Sequence, residues 1–302
     1  GGPTIEEEPP ERAWVEFYDE VSGAALDPAA VREARELEVE YMHKLRVYVE
    51  STWEEMRECG CNLLPTRWLD IKKGDAKNVN IRSRLVAQET KNRSSTAPRN
   101  IAATFAATPT LEAVRMLISL AMSGQIGARS EDQRVLGFYD VSRAHFHSQV
   151  RRNLFVKPPP EDRSITSGVA RLLKAIYGTR DTGQCFDAFV EEVMTKLGFE
   201  TGVFSPCNDW HKTKHMACVR HGDDFIKLAT RKQQAEFMAE ANKLLILKHE
   251  GTPGGCKDLG DVQELRCLHR LTRWVQPPLK DRGHASIEWE PHPRHAAISL
   301  AA

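Results

Sequence analysis

The chain has 302 residues and a formal net charge of zero, with 42 basic and 42 acidic side chains. No apolar run approaches the roughly 20 residues needed to cross a bilayer, and the first residues, GGPTIEEEPP, lack the basic end and apolar stretch of a signal peptide. We therefore expect an intracellular protein that does not associate with membranes. Seven scattered cysteines are typical of reduced thiols, so no disulfide is predicted.

The N-terminal part of the chain is acidic. Residues 1–58 carry 16 acidic and 6 basic side chains. Asp27 followed by Pro28 is typical of a helix start, and the apolar spacing after it predicts an amphipathic helix over 28–48. A charged helix of this kind is most simply a solvated element packed on a core.

The next part of the chain is basic. Residues 67–99 contain nine basic side chains and three acidic ones. The pattern over 65–86 predicts two short strands joined by a turn around Gly74, with Arg82 and Arg84 on the same face of the second strand. On charge alone this stretch is either a phosphate-binding patch or a solvated loop.

Three elements are predicted in the middle of the chain. Thr110 caps a helix that follows it. The apolar run 135–141 has the length of a strand and carries one carboxylate, Asp140, near its end. Residues 181–198 form the clearest helix of the sequence, and Gly198 is its stop signal.

A β-hairpin is predicted after this helix. Two strand-like runs, 216–221 and 225–229, are separated by Gly222-Asp223-Asp224, and the glycine supplies the tight turn. Residues 233–248 are predicted to form another amphipathic helix. Beyond Gly251 the sequence shows no strong period.

The informative constellation combines a carboxylate near the end of one strand, Asp140, with two adjacent carboxylates at a later turn, Asp223 and Asp224. Adjacent acids in a partly buried site repel each other, and a divalent cation removes the repulsion. Mg²⁺ prefers oxygen ligands and is held by a few carboxylates together with substrate phosphates. The pattern thus favours a polymerase-like pair of metal ions, although an Asp-Asp pair in a solvated turn is the commoner reason for this dipeptide.

Several segments, taken in order, resemble the reverse transcriptases of copia-type long-terminal-repeat retrotransposons, particularly divergent copies in dinoflagellate genomes. Together they span about residues 60–250. The segments are RW at 67–68 with KK at 72–73, IRSRLVAQE at 81–89, TFAATPTLEAVRMLISLA at 104–121, FYDVSRAHF at 138–146, LLKAIYGTRDTGQCF at 172–186, SPCNDW at 205–210 and VRHGDDFI at 219–226.

This resemblance implies an α+β right hand with fingers and a palm, in which an antiparallel palm sheet is backed by helices. The implied activity is RNA-directed DNA polymerisation within a Pol polyprotein, in the cytoplasm, inside virus-like particles, or in the nucleus. Implied partners are a primed RNA or DNA template, deoxynucleoside triphosphates and other polyprotein domains such as RNase H and integrase. The expected segments are an acidic N-terminal helical segment (1–58), basic fingers (59–135), a palm (136–230) and a C-terminal connection without a complete RNase H domain (231–302).

The resemblance also implies roles for individual residues. Two Mg²⁺ or Mn²⁺ ions are expected on the catalytic carboxylates of Asp140, Asp223 and Asp224. The residues expected to contact the incoming nucleotide are Lys72, Lys73, Arg82, Arg84, His145 and Phe146. Those expected near the template and primer are Arg180, Asp181, His221 and Gly222.

Some of these positions depart from the family pattern. His145 stands where the family has an aromatic steric gate that excludes the ribose 2′-OH; Phe146 is the neighbouring alternative, although strand alternation points it the other way. Asp181 and Gly183 replace the family's glutamine and proline near the template. His221-Gly222 replaces Tyr-Val but keeps both aspartates.

Other interpretations remain open at this stage. A decayed or repurposed palm that binds nucleic acid without polymerising fits the departures, and an interaction protein fits only the acidic N-terminal helix. The spacing of Cys207, His211, His215 and Cys218 resembles a zinc site, but buried cysteines with surface histidines are preferred. A phosphohydrolase His-Asp element is disfavoured, because the flanking residues of Gly222 predict strands and not helices.

Overall fold

The computed structural model describes residues 16–73, 80–90, 104–123, 133–268, 270–276 and 285–291. The predicted turn at Gly74 lies outside these residues. The chain divides into two compact units, one formed by 1–96 with 153–179 and the other by 97–152 with 180–302. The functional division into N-terminal segment, fingers, palm and connection stays a prediction. None of the described helices has the length and apolar character required to span a membrane.

The described residues form helices and strands in the following order. The helices are α1 (Pro28–Lys44), α2 (Trp53–Glu58), α3 (Leu111–Ser123), α4 (Thr182–Lys196) and α5 (Arg231–Ala241). The strands are β1 (Phe17–Tyr18), β2 (Ala25–Leu26), β3 (Tyr48–Glu50), β4 (Leu63–Leu64), β5 (Thr66–Lys73), β6 (Asn80–Ala87), β7 (Arg134–Val141), β8 (Phe155–Val156), β9 (Ala170–Leu172), β10 (Glu200–Thr201), β11 (Asn208–His211), β12 (Met216–His221), β13 (Asp224–Thr230), β14 (Leu247–Gly251), β15 (Glu264–Cys267), β16 (Arg270–Val275) and β17 (Ser286–Pro291).

The first unit contains α1, α2 and three small sheets, with strand orders β1-β2, β3-β9-β8-β4 and β5-β6. Helix α1 starts as predicted, because the Asp27 carboxylate accepts a hydrogen bond of 2.9 Å from the Ala30 amide. It ends at Lys44, short of the predicted 48, because Tyr48 already pairs with Leu172 in the second sheet. The predicted strand pair over 65–86 is confirmed as β5 and β6.

Gly178 is required where the chain passes β6. Its φ is +85°, the preceding Tyr177 carbonyl accepts the Ala87 amide at 2.8 Å, and an added Cβ would lie 1.9 Å from the Ala87 carbonyl oxygen. We expect Gly178→Ala to lower the free energy of unfolding by about 3 kcal/mol, because alanine is strained at a positive φ and its Cβ would push the backbone of Ala87 away.

The matched control for this prediction is Gly168→Ala. Gly168 belongs to the same unit and has φ +74°, but an added Cβ there meets no atom within 4 Å. Its loss should be only the conformational cost, about 1 kcal/mol. Urea unfolding of both variants measures the difference, and equal losses would show that the contact with β6 is not restrictive.

The second unit is built on a six-stranded antiparallel sheet with the order β10-β11-β12-β13-β7-β14. Strand alternation gives the sheet two apolar faces. Helix α3 covers one face, on which Leu136 and Phe138 of β7 lie. Helices α4 and α5 cover the other, on which Tyr139 and Val141 lie. The central strands β7 and β13 are therefore buried on both faces along most of their length.

Most predicted elements of this unit are confirmed. Thr110 caps α3, with its hydroxyl accepting the Ala113 amide at 3.3 Å, and α4 stops before Gly198, whose φ is +85°. The predicted helix over 233–248 is wrong in its second half, because α5 ends at Ala241. The Asn242 side chain accepts the Leu247 amide at 2.9 Å and closes the turn that starts β14. The separate sheet of β15, β16 and β17 was not predicted.

Candidate active site

The three candidate catalytic aspartates lie at one end of β7 and β13. Asp140, the penultimate residue of β7, is the Cα partner of Asp224, the first residue of β13. Paired residues in an antiparallel sheet project from the same face, so the two carboxylates are neighbours. Asp223 sits in the turn before β13, and its carbonyl accepts the Val141 amide at 2.8 Å.

The turn that carries Asp223 is the predicted tight hairpin. His221 pairs with Asp224, which leaves Gly222 and Asp223 as a two-residue loop. Gly222 has φ +60°, whereas Asp223 is not among the residues with positive φ. Glycine at the first loop position with an ordinary residue at the second is typical of a type II′ turn.

A buried ion pair lies next to this turn, on the residue that precedes His221. The guanidinium of Arg220 contacts the Asp209 carboxylate at 2.5 Å and 3.2 Å and also donates to the Pro206 carbonyl at 2.6 Å. The Arg220 amide donates to the Cys207 carbonyl at 2.8 Å. These bonds fix the strand immediately before His221, and a small cavity of about 40 Å³ remains between Arg220, Pro206 and Gly222.

Burial and neighbouring acidic side chains affect the ionisation of Asp224. The pKa of Asp224 is raised to about 7, first by burial and then by the charges of Asp223, Asp140 and Glu250. Asp140 has a second neighbour, Lys248 of β14, which is its Cα partner on the other side. The Lys248 ammonium lies 2.8 Å from the Glu250 carboxylate.

The donor set suits a hard divalent cation. Carboxylate oxygens are the ligands that Mg²⁺ prefers. Burial first, and then the neighbouring acids, disfavour the ionised form of Asp224 and raise its pKa, and a bound cation would favour that ionised form. Within the described ranges, no three His, Cys, Asp or Glu side chains are arranged to hold a metal ion as they stand. The side chains of the aspartates would therefore have to converge on an ion.

The four basic candidates for nucleotide binding lie on the β5–β6 ribbon of the first unit. Arg82 and Arg84 are on one face of β6, as predicted, opposite Ile71 and Leu69 of β5. The Arg84 guanidinium lies 4.6 Å from the centre of the Tyr177 ring, a cation–π contact that orients it. The remaining two candidates, both exposed, are Lys72 and Lys73.

The two candidates for the sugar gate differ in accessibility. Residues 144–147 form a 3₁₀ turn after Arg143, whose φ is +52°, so the expected strand alternation does not apply. Phe146 is fully buried, so its side chain is not accessible in this structure, and its role as a nucleotide-binding residue stays a prediction. His145 is half-buried, with its ring 5.8 Å from that of Phe186.

The four candidates for template and primer contact also differ in their exposure to solvent. His221 and Gly222 are exposed at the turn, and Arg180 is half-buried. Asp181 is buried and receives two hydrogen bonds from Arg152, at 2.8 Å and 3.0 Å. The pair with Arg152 holds this carboxylate at the start of α4, and its role in template contact stays a prediction.

The zinc interpretation receives no support from the described residues. Cys207 and Cys218 are buried, and burial raises the pKa of the Cys207 thiol to about 11, which disfavours the thiolate that zinc requires. His215 is exposed as expected, but His211 is buried against Phe199, with ring centres 5.3 Å apart. All seven cysteines are free thiols.

Lys248 and Glu250 were missed as site residues. The helix predicted over 233–248 placed Lys248 on the wrong element, and the pairing of β14 with β7 depends on contacts distant in sequence. The signal that was available is Asn242, a residue that often ends helices and starts turns. The short alternation after it, with Lys248 and Glu250 on one face, fits a strand.

Half of the chain matches a known protein family. Residues 55–206 match a family described as reverse transcriptase (RNA-dependent DNA polymerase), a range that includes Asp140 and ends before the hairpin of Asp223 and Asp224. No curated protein matches the chain. Among solved structures, telomerase from Candida albicans in complex with a TWJ fragment of telomeric RNA is similar, with 9% identity, a TM-score of 0.44, and coverage of 79% of this chain and 48% of the other. The chain thus spans about half the length of that telomerase chain. Because the matched family covers half of its residues, the chain belongs to the reverse transcriptase (RNA-dependent DNA polymerase) family.

Proposed function

We propose that this chain is the RNA-directed DNA polymerase core of a copia-type retrotransposon and extends a primer 3′-OH on a template by transfer of a nucleotidyl group. The observation that carries the proposal is the register of the palm sheet. It sets Asp140 beside Asp224, with Asp223 in the adjoining turn. Nothing in folding favours three crowded acids at one end of a sheet, whereas nucleotidyl transfer needs them.

The cofactor in this proposal is a pair of Mg²⁺ or Mn²⁺ ions, held by Asp140, Asp223 and Asp224. When bound, such ions lower the pKa of the attacking hydroxyl and neutralise the triphosphate. Other residues of the chain position the aspartates. The II′ turn at Gly222 keeps side chains out of the space before the aspartates, and the buried Arg220–Asp209 pair holds that turn in place.

The substrates in this proposal are deoxynucleoside triphosphates and a primed RNA or DNA template. The exposed cations of the β5–β6 ribbon, together with the oriented Arg84, are suited to phosphate oxygens. His145 is the more accessible candidate for the sugar gate, since Phe146 is buried. Binding of the template should be independent of sequence and should weaken with salt, because phosphate contacts dominate.

The proposal extends to context. The segment resemblance favours a divergent, dinoflagellate-like copy within a Pol polyprotein, whose RNase H and integrase domains would be partners of this core. Reverse transcription would then take place in cytoplasmic virus-like particles or in the nucleus. These features follow from the copia-type assignment.

Primer extension tests the proposal. Purified chain is supplied with poly(rA) template, oligo(dT) primer, dTTP and Mg²⁺ or Mn²⁺, and compared with the double variant Asp223→Asn/Asp224→Asn. We expect extension by the wild type and a loss of about a thousandfold or more in the variant, since several kcal/mol of charge stabilisation disappear. Extension that survives in the variant would place catalysis elsewhere.

A decayed palm that binds nucleic acid without polymerising is the second candidate. One observation favours it: Asp181, at the family's template-contacting position, is buried in an ion pair with Arg152. This candidate predicts no extension by the wild type, while both proteins bind the duplex equally and with the same dependence on salt.

A further inference from the structure

The palm sheet carries a cation in the same row as its catalytic acids. Asp224, Asp140 and Lys248 are successive Cα partners on β13, β7 and β14. Paired residues project from the same face, and neighbouring strands lie about 4.8 Å apart. The row therefore spans about 10 Å across the sheet, with Lys248 directly beside Asp140.

We propose that Lys248 binds a phosphate group of the substrate at the metal site, either of the incoming nucleotide or of the primer terminus. The inference rests on the proposed function. A divalent ion on carboxylates completes its ligand set with substrate phosphates, so a phosphate bound over Asp140 and Asp224 lies next to Lys248. The cations predicted for this task, on the β5–β6 ribbon, belong to the other unit.

The present partner of Lys248 is easily exchanged. Its ammonium lies 2.8 Å from Glu250, and the side chains are 64% and 39% exposed, respectively. Exposed ion pairs contribute only about 0–1 kcal/mol. A phosphate carries more charge and more acceptor oxygens than Glu250, so it would displace the carboxylate. The pair thus keeps Lys248 beside the site until substrate binds.

A purely structural role for Lys248 makes a different prediction. Strand β14 is the last strand of its sheet, and lysines on edge strands prevent pairing with other chains. In that case Lys248 would affect solubility without affecting substrate affinity. Lys243 provides a matched control, because it forms a 2.7 Å pair with Glu240 on α5 and its side chain is 66% exposed.

The experiment measures binding without turnover. The chain is mixed with Mg²⁺ and a template whose primer ends in a dideoxynucleotide, and the Kd values for dTTP and for the duplex are determined. We expect Lys248→Met to weaken one of them about tenfold, equivalent to about 1.4 kcal/mol. Lys248→Arg should retain most of the affinity, and Lys243→Met should match the wild type.

The outcomes separate the alternatives. A higher Kd for dTTP identifies the triphosphate as the ligand; a higher Kd for the duplex, with a smaller dependence on salt, identifies the primer phosphate. Unchanged values for both would overturn the inference. A loss in Glu250→Gln as large as that in Lys248→Met would also overturn it, since the intact Lys248–Glu250 pair, and not a Lys248 released to bind phosphate, would then be what substrate binding requires. Absence of extension by the wild type tests the proposed function separately, because these Kd values require no catalysis.

Discussion

Asp224→Asn is expected to abolish primer extension and, at the same time, to stabilise the metal-free chain. The carboxylate is half-buried beside Asp140, Asp223 and Glu250, and its pKa is raised to about 7. A raised pKa on an acid means that the folded state binds more protons than the unfolded state between about pH 4 and pH 7. The stability contributed by this group therefore falls as pH rises through that window, and above pH 7 ionised Asp224 destabilises the fold.

The shift corresponds to about 4 kcal/mol at pH 8, which we reduce to about 2 kcal/mol because solvent screens the half-buried group. In EDTA, Asp224→Asn should therefore melt several degrees above the wild type at pH 8 and close to it at pH 4.5. Added Mg²⁺ should raise the melting temperature of the wild type much more than that of the variant, through binding to the folded state. A variant less stable than the wild type at pH 8 would show that the carboxylate has a structural role.

The expected gain in stability on removing Asp224, a proposed catalytic group, has the same physical cause as the sequence signal for the site. The strand of Asp140 and the Gly222 turn are local patterns, which the sequence alone predicts. An acid in an apolar strand and two acids in a turn conflict with folding preferences, and such conflicts concentrate at functional sites. Their juxtaposition across β7 and β13, by contrast, rested on the family resemblance, since register is a long-range property.

The structural features that the sequence did not predict depend on strand pairing, burial or contacts between residues that are distant in the chain. The first two residues of β14 lie at the end of the predicted helix 233–248, and the segment forms a strand by pairing with β7, which is distant in sequence. Strand alternation was the argument against Phe146 as the gate, and it does not apply, because residues 144–147 form a 3₁₀ turn. The sequence around Asp181 does not show that its carboxylate pairs with Arg152, because the two residues are 29 positions apart.

Lys227→Met is expected to stabilise the second unit, because Lys227 is buried and forms no ion pair with a carboxylate among the residues that the structure describes. Its side chain is fully buried on β13, with the ammonium 3.7 Å from the centre of the Phe237 ring and 3.4 Å from the Gln233 carbonyl. Loss of water outweighs the attraction of the ring and lowers the pKa of Lys227 to about 7. Other groups acting on it are the Cys218 thiol, Lys214 and Glu236.

The sign of the pH dependence follows from this lowered pKa. Between about pH 7 and pH 10.5 the unfolded state binds more protons at Lys227 than the folded state, so the stability contributed by this group rises with pH. At pH 7 the cost of burying it is at most about 4 kcal/mol, and between pH 7 and pH 8.5 it decreases by about 2 kcal/mol. Methionine of similar length removes this cost, as replacement of buried charges by apolar groups often does.

Urea unfolding of wild type and Lys227→Met at pH 7.0 and pH 8.5 measures the effect. The variant should be the more stable at both values, and its advantage should shrink by about 2 kcal/mol at the higher pH. The ionisation of the cysteine thiols contributes equally to both proteins, so it cancels in the difference between their free energies of unfolding. Lys243→Met removes an exposed lysine, and its free energy of unfolding should differ from that of the wild type by less than about 0.5 kcal/mol at either pH. A constant advantage would mean that Lys227 stays charged in the folded state. In that case the Phe237 ring, and not proton release, would be what stabilises a lysine at the centre of the sheet that carries the three proposed catalytic aspartates.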